Sequence, residues 1–496
     1  MMVEHFPSLI IIIPLLCSLA ICIASWLNKR FCFPVAVGAL GLSLLTAIGM
    51  LMVVMADGTL VYRLAGWSAP MGINYKVDHL NAMVLVVVLV VALMNIVGAK
   101  DAIQREFDEK KGAFYSLYLL FVAGMIGMVV TGDAFNLYVL LEIASLTGYA
   151  LIGIGRGRAA LSSLNYLFMG TVGATFYLLG VGYLYFATGT LDMADMAKLL
   201  PGLYGSRTVL FAFVLCMTGL FAKMALFPLH GWLPNAYSYA PSVSVGVVAP
   251  LTTKVMVYVM VRMALYVFTP EFIFGTLSIS GAMVNIAIVT IVIGSLMALA
   301  QRRLKKMLTY VIIAEVGYMV GGFWLGNRMG MNGAILHIVN DAVMTLCVFM
   351  AAGAIAHKAH GDHFEKLGGM FRRMPYTMAA FVVGGLSIIG VPPTCGFFSK
   401  WYLISGGIAA GNYLFVAALL FSSLINVVIF FRIFEIAYFE PFGQGHHAPS
   451  NVAIDDAPPA FLVSLFIVAG LLLVLGIYSG DIVTKIIQFA IPAGIV

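Results

Sequence analysis

A chain of 496 residues with 62% hydrophobic and 10% charged side chains and a mean hydropathy of +1.04 is a polytopic membrane protein, since an ordinary soluble domain carries about 25% charge. Its net charge of +6 would suggest nucleic acid only if the basic residues formed a patch, and here they lie in short loops between apolar runs. The six cysteines form no CxxC pair, and His337 is the one histidine well inside an apolar run, so no metal, Fe–S, haem or other cofactor site is read from the sequence.

The first apolar run, 7–27, lacks a basic leader and a small-residue cleavage pattern and is read as a retained span. At about twenty apolar residues per crossing, thirteen more follow at 33–55, 78–99, 112–131, 134–154, 162–188, 207–227, 242–266, 278–299, 307–325, 332–355, 376–404, 412–438 and 460–478. Fourteen crossings put both termini on one side. Of the twenty-seven Lys and Arg residues, sixteen fall in loops on the opposite side and six on the terminal side. The positive-inside rule therefore predicts termini facing out of a prokaryotic inner membrane. Loop 57–78 alternates weakly, as an outer hairpin would, and 190–202 reads as a short amphipathic helix at the interface. His357, His360 and His363 with Asp362 and Glu365, and likewise His446 and His447, are read as solvated loop residues rather than metal ligands.

Two spans are interrupted. Lys223 is followed by Pro228, Gly231 and Pro234 before the chain re-enters an apolar run carrying Lys254, and Pro392 and Pro393 precede Lys400. Proline at membrane depth frees backbone groups that protein or a water-lined cavity must satisfy. Interrupted segments at corresponding positions in two halves point to a transport site between inverted repeats. Spans 4–8 and 9–13 would be those repeats, dividing the chain into 1–111, 112–268, 278–438 and 439–496.

Intramembrane charges mark ion pathways by default, because each costs roughly 2.5–3.5 kcal/mol on insertion scales. Glu142 needs a partner, and Lys223 is the natural one; Asp133, nine residues earlier at the outer end of the span, belongs to a different site. Lys254 is suited to passing protons, whereas Arg262 remains charged and reads as snorkelling or as a counter-ion. His337 and Asp341, four apart on one helix face continued by Thr345, form a plausible relay. Glu315 is a further buried carboxylate, and Arg432 with Glu435 reads as a mutual pair. The competing reading is static: ion pairs and a hydrogen-bonded histidine that fix helix packing. Seven costly groups, Glu142, Lys223, Lys254, Glu315, His337, Asp341 and Lys400, are harder to explain that way.

The runs FNLYVLLEIASLTGYALIG, AKMALFPLHGWLPNAYSYAPSVSVGVVAPLTTK, RRLKKMLTYVIIAEVGYM and GVPPTCGFFSKW resemble the antiporter-like subunits of respiratory complex I and of Mrp-type cation/proton antiporters, over about residues 75–440. Length and ending are most similar to the D-type subunit of Mrp antiporters and its counterparts in membrane-bound hydrogenase-type complexes. The resemblance implies an all-α fold of fourteen helices with two inverted five-helix repeats, each holding a proton half-channel around a broken helix. It implies that Glu142 and Lys223 are the fifth- and seventh-helix pair, Lys254 the bridging lysine, His337 the eleventh-helix histidine and Lys400 the twelfth-helix residue. Where the family often has a second histidine and then a lysine along the eleventh helix, this chain has Asp341 and Thr345, and Glu315 replaces an uncharged polar residue. The second half is therefore expected to run through Asp341 or Glu315, or to conduct poorly.

The expectation is a proton-translocating subunit of the Mrp D type, exchanging H+ for Na+ or K+ among other membrane subunits and lipid, without nucleic acid. The alternatives are a proton-pumping subunit of a complex I-like NADH:quinone oxidoreductase or membrane-bound hydrogenase, and a non-conducting scaffold. A quinone-binding catalytic subunit is disfavoured by the missing cofactor ligands, and a solute carrier finds no support in these motifs.

Overall fold

The structure, a computed structural model, describes residues 3–439, 454–492 and 495. His446, His447 and most of loop 440–459 lie outside the described residues. Apolar runs fold as helices because a helix satisfies its own backbone polar groups where no water can. In chain order the principal helices are α1 (Phe6–Leu27), α2 (Cys32–Asp57), α3 (His79–Gly98), α4 (Lys111–Val130), α5 (Ala134–Gly153), α6 (Ala159–Thr188), α7 (Arg207–Met224), α8 (Leu233–Tyr239), α9 (Ser242–Met263), α10 (Ser280–Leu299), α11 (Leu304–Trp324), α12 (Arg328–Lys358), α13 (Pro375–Ile389), α14 (Cys395–Ala409), α15 (Tyr413–Phe439) and α16 (Pro459–Ile477).

Thirteen helices among the described residues are long and apolar enough to cross a membrane, and the fourteenth run read as a span corresponds to the shorter broken pair α13–α14. The run 376–404, read from sequence as one span, is thus two helices, interrupted at Pro392 and Pro393. The hairpin forms: β1 (Leu60–Arg63) pairs antiparallel with β2 (Asn74–Val77), Leu60 opposite Val77. The helix in 190–202 is Met193–Leu199, which buries Met193 and Met196.

Nearly every residue of α9 and α11 is buried, and most of α12, whereas only about a third of α2 and of α16 is buried. The peripheral helices thus keep apolar surface facing outward, and the central three carry Lys254, Glu315, His337 and Asp341. Small residues allow close packing beside the first break. A methyl group on Gly219 of α7 would come within 2.5 Å of the Gly173 carbonyl oxygen of α6, the small-residue contact that brings membrane helices together.

Candidate functional site

The first break begins where α7 ends. Ala225 adopts φ +61°, a left-handed residue that closes the helix. Trp232 turns its indole Nε1 back to donate to the Ala222 carbonyl at 3.0 Å, satisfying one of the groups that the break releases. The indole stacks on Tyr166 with centroids 4.0 Å apart, and Tyr166 meets Tyr149 edge-on at 4.5 Å. Lys223, 3% exposed in the last turn of α7, reaches into this aromatic wall and donates to Ser145 Oγ at 2.7 Å and Tyr149 Oη at 3.3 Å.

The expected direct pair with Glu142 is corrected. Glu142 lies on the same face of α5 as Ser145 and Tyr149, three and seven residues earlier, and acts on Lys223 electrostatically. The two are not at ion-pair distance, and Glu142 Oε1 is buried without a hydrogen-bond partner. The lysine stem, anchored at the end of α7, reaches the hydroxyl one turn beyond the carboxylate.

The second break is built differently. Lys400 comes from the second half-helix, α14, and caps the first: its ammonium donates to the carbonyls of Ile388 at 2.7 Å and Ile389 at 3.2 Å, and to Ser423 Oγ at 3.1 Å. A cation is favoured at a helix C-terminus, where free carbonyls concentrate partial negative charge. At the other end of α13, Asp456 accepts from the backbone N–H groups of Tyr376 at 2.8 Å and Thr377 at 3.3 Å. This short helix thus has an anion at its N-terminus and a cation at its C-terminus.

Between the breaks, Lys254 of α9 lies 3.1 Å from Asp341 Oδ2 of α12, both side chains almost wholly buried. This is an ion contact rather than an aligned hydrogen bond, since Oδ2 has no well-formed donor. Lys254 also donates to Thr345 Oγ1 at 3.0 Å, and that hydroxyl donates to Asp341 Oδ1 at 2.8 Å. The two residues expected to form a relay take different direct partners: Asp341 pairs across the helix interface with Lys254, while His337 Nδ1 is hydrogen-bonded to Ser399 Oγ at 2.8 Å. Four-residue spacing put the two on one face, but each finds a closer polar partner on a neighbouring helix. Glu315 is 1% exposed and lies in electrostatic contact with Asp341, Lys254 and Lys400.

Two peripheral readings also resolve. Arg262 is a counter-ion: its Nη1 donates to Asp78, the residue that caps α3, and its guanidinium stands 4.3 Å over the Tyr266 ring. Arg432 does not pair with Glu435; it lies over the Phe364 ring at 5.6 Å. In the His357–Glu365 loop, Asp362 pairs with Arg303 at 3.0 Å. Among the described residues no three His, Cys, Asp or Glu side chains gather to hold a metal.

The sequence reading missed the hydroxyls of Ser145, Tyr149, Ser399 and Ser423 and the cap at Asp456. Ser145 and Tyr149 were findable as helical neighbours of Glu142, and Ser399 as the neighbour of Lys400; Asp456 carries no local signal, because it reaches α13 from 79 residues away.

Comparison with known proteins identifies relatives that match nearly the whole chain. A structure of the membrane-bound sulfane sulfur reductase, an archaeal respiratory membrane complex, contains a chain that superposes with a TM-score of 0.88 at 30% identity, covering 97% of this chain and 96% of that one. A chain of the Mrp complex from Dietzia sp. DQ12-45-1b shares the fold, with a TM-score of 0.85 at 21% identity and coverage of 98% of each chain. NADH-quinone oxidoreductase subunit N of Desulforudis audaxviator is 41% identical over 99% of both chains. The D-type Na(+)/H(+) antiporter subunit of Alkalihalophilus pseudofirmus is 31% identical over 86% of each. Residues 131–426, from the start of the Glu142 helix to beyond Lys400, match the family pattern described as NADH:quinone oxidoreductase/Mrp antiporter, TM, and the chain belongs to that family.

Proposed function

We propose that this chain is a proton-translocating subunit of a multi-subunit complex in a prokaryotic inner membrane, with both termini outside, exchanging H+ for Na+ or K+ in the manner of the D-type subunit of Mrp antiporters. The observation that carries this reading is the Lys254–Asp341 pair, buried between two broken helices that each bring a lysine to the interruption. Charges in these positions are expensive in a membrane and are kept where they move ions. The path runs from Glu142 and Lys223 through Lys254 and Asp341 to Glu315, His337 and Lys400. The hydroxyl of Thr253, buried without a hydrogen-bond partner and next to Lys254 in the chain, supplies a hydrogen-bonding atom on the first-break side of that lysine.

The division into 112–268 and 278–438 as inverted repeats is part of the proposal. It is supported by a broken helix with an adjoining lysine in each half and by the central position of α9 and α12, which meet between them. Lipid and further membrane subunits are the proposed surroundings, in keeping with the peripheral helices' exposed apolar faces.

A second reading has its own support: the 41% identity to a subunit N along nearly the whole chain favours a proton-pumping subunit of a complex I-like oxidoreductase. In either case the chain moves protons. Lys223→Ala and Glu142→Ala should each abolish proton movement in vesicles containing the assembled complex while leaving assembly intact. Unchanged transport in either assembled variant would support a scaffold role instead. The partners that co-purify separate the two conducting readings: hydrogenase-like or flavin-bearing subunits indicate a redox-driven pump, and small membrane subunits alone indicate an antiporter.

A further inference from the structure

Two of the residues at which this chain departs from the resembled pattern, Glu315 and Asp341, occupy one place. Tyr318 of α11 lies against His337 of α12, ring centroids 5.5 Å apart. These helices follow one another through a short turn and run antiparallel. One turn back on α11 and one turn forward on α12 therefore bring Glu315 and Asp341 face to face, and their carboxyl groups are in side-chain contact. Both are buried, at 1% and 0% exposure.

Neither Glu315 oxygen receives a well-formed hydrogen bond, and Asp341 Oδ2 has only the ion contact with Lys254. Two ionised carboxylates are acceptors alone and repel one another. One proton makes one of them a donor to the other and satisfies both. Surrounding groups set the charge balance: Lys254 from α9, Thr345 and His337 on α12, Tyr318 on α11 and Lys400 from α14. Lys254 balances Asp341, Lys400 is engaged with the end of α13 and stands 5.2 Å over the Tyr318 ring, and His337 is held by Ser399. Glu315 is left without a cation of its own at ion-pair distance.

We propose that Glu315 and Asp341 form a carboxyl pair holding one proton between them, and that this pair links Lys254 to Lys400. In one transfer, the shared proton leaves a carboxyl oxygen for a neutral Lys400 Nζ, and an N–H of protonated Lys254 breaks as its proton refills the pair. Lys254 ends neutral, Lys400 ends as an ammonium, and the pair again holds one proton. The inference rests on the translocation reading above, and the following experiment separates their failures.

Infrared difference spectra of the intact complex in lipid report the carbonyl stretch of a protonated carboxylic acid. At neutral pH, wild type minus Glu315→Gln is expected to show such a band. Wild type minus Asp341→Asn is expected to show it too, because Glu315 then ionises to serve Lys254. Either variant alone suffices if the other fails to assemble. No band in the Glu315→Gln difference, or a band that survives Asp341→Asn, overturns the shared proton, as does a band that responds to sodium at fixed pH. Transport is measured on the same samples. If Lys223→Ala stops proton movement while Glu315→Gln leaves spectrum and rate as in wild type, the pair is wrong and translocation stands. If Lys223→Ala conducts normally, the translocation reading itself has failed.

Discussion

Replacing Lys254 or Asp341 tests whether their contact is a working ion pair or incidental packing. The side chains are 2% and 0% exposed and 3.1 Å apart. Removing one partner of a buried pair strands the other charge, which costs about 3–5 kcal/mol, whereas a hydrogen bond between membrane helices averages about 0.6 kcal/mol. Lys254→Met leaves Asp341 the Thr345 hydroxyl at 2.8 Å and the neighbouring Glu315 carboxyl but no cation at ion-pair distance, and belongs at the upper end of that range. Asp341→Asn leaves Lys254 the Thr345 hydroxyl and the Ala249 carbonyl at 3.5 Å; Glu315 also stands nearby, so the cost lies at the lower end. The double variant strands neither charge and should cost less than the sum of the single changes, with a coupling of about 2 kcal/mol. Denaturant unfolding of the purified complex in mixed micelles measures all four corners of the cycle. Strict additivity would refute the pair.

Two further outcomes follow from the geometry. Ser145→Ala removes the 2.7 Å acceptor of Lys223 and leaves Tyr149 at 3.3 Å; proton transport in vesicles should fall and its pH profile shift, while Ser145→Thr retains both. Asp78 tests the outer ion pair. Burial opposes its ionised form, but the Arg262 guanidinium and the Asn81 backbone N–H outweigh burial and hold the carboxyl below the usual carboxylate range. A depressed folded value means that the contribution is complete above the unfolded pKa of about 3.9 and is lost as pH falls through the folded one. Thermal unfolding of the wild type should therefore decline more steeply than that of Asp78→Asn as pH drops below about 4; parallel declines would count against the pairing.

Much of the architecture was legible because lipid leaves few choices. Apolar length marks the crossings, and proline beside lysine marks both breaks. The individual partners were less legible, for a physical reason. Sequence spacing reports neighbours on one helix, while a buried charge takes the nearest polar atom on any helix. His337 and Asp341 share a face yet bond to Ser399 and Lys254 on two other helices. Glu142 and Lys223 face one another in principle, but the length of the lysine stem delivers its ammonium to Ser145, one turn farther on. Arg262 takes its role from Asp78, a partner 184 residues away that no sequence spacing connects to it. Asp456 capping α13 is of the same kind, a carboxylate unremarkable in sequence that acquires its role only when the chain returns to the start of a broken helix.

The central claim is that protons cross between the two halves through Lys254 and Asp341. Its most direct test is proton movement in vesicles carrying the assembled complex with the Lys254→Met/Asp341→Asn double variant, which removes the pair without stranding a charge. The account predicts an assembled complex that no longer moves protons; transport at the wild-type rate would contradict it.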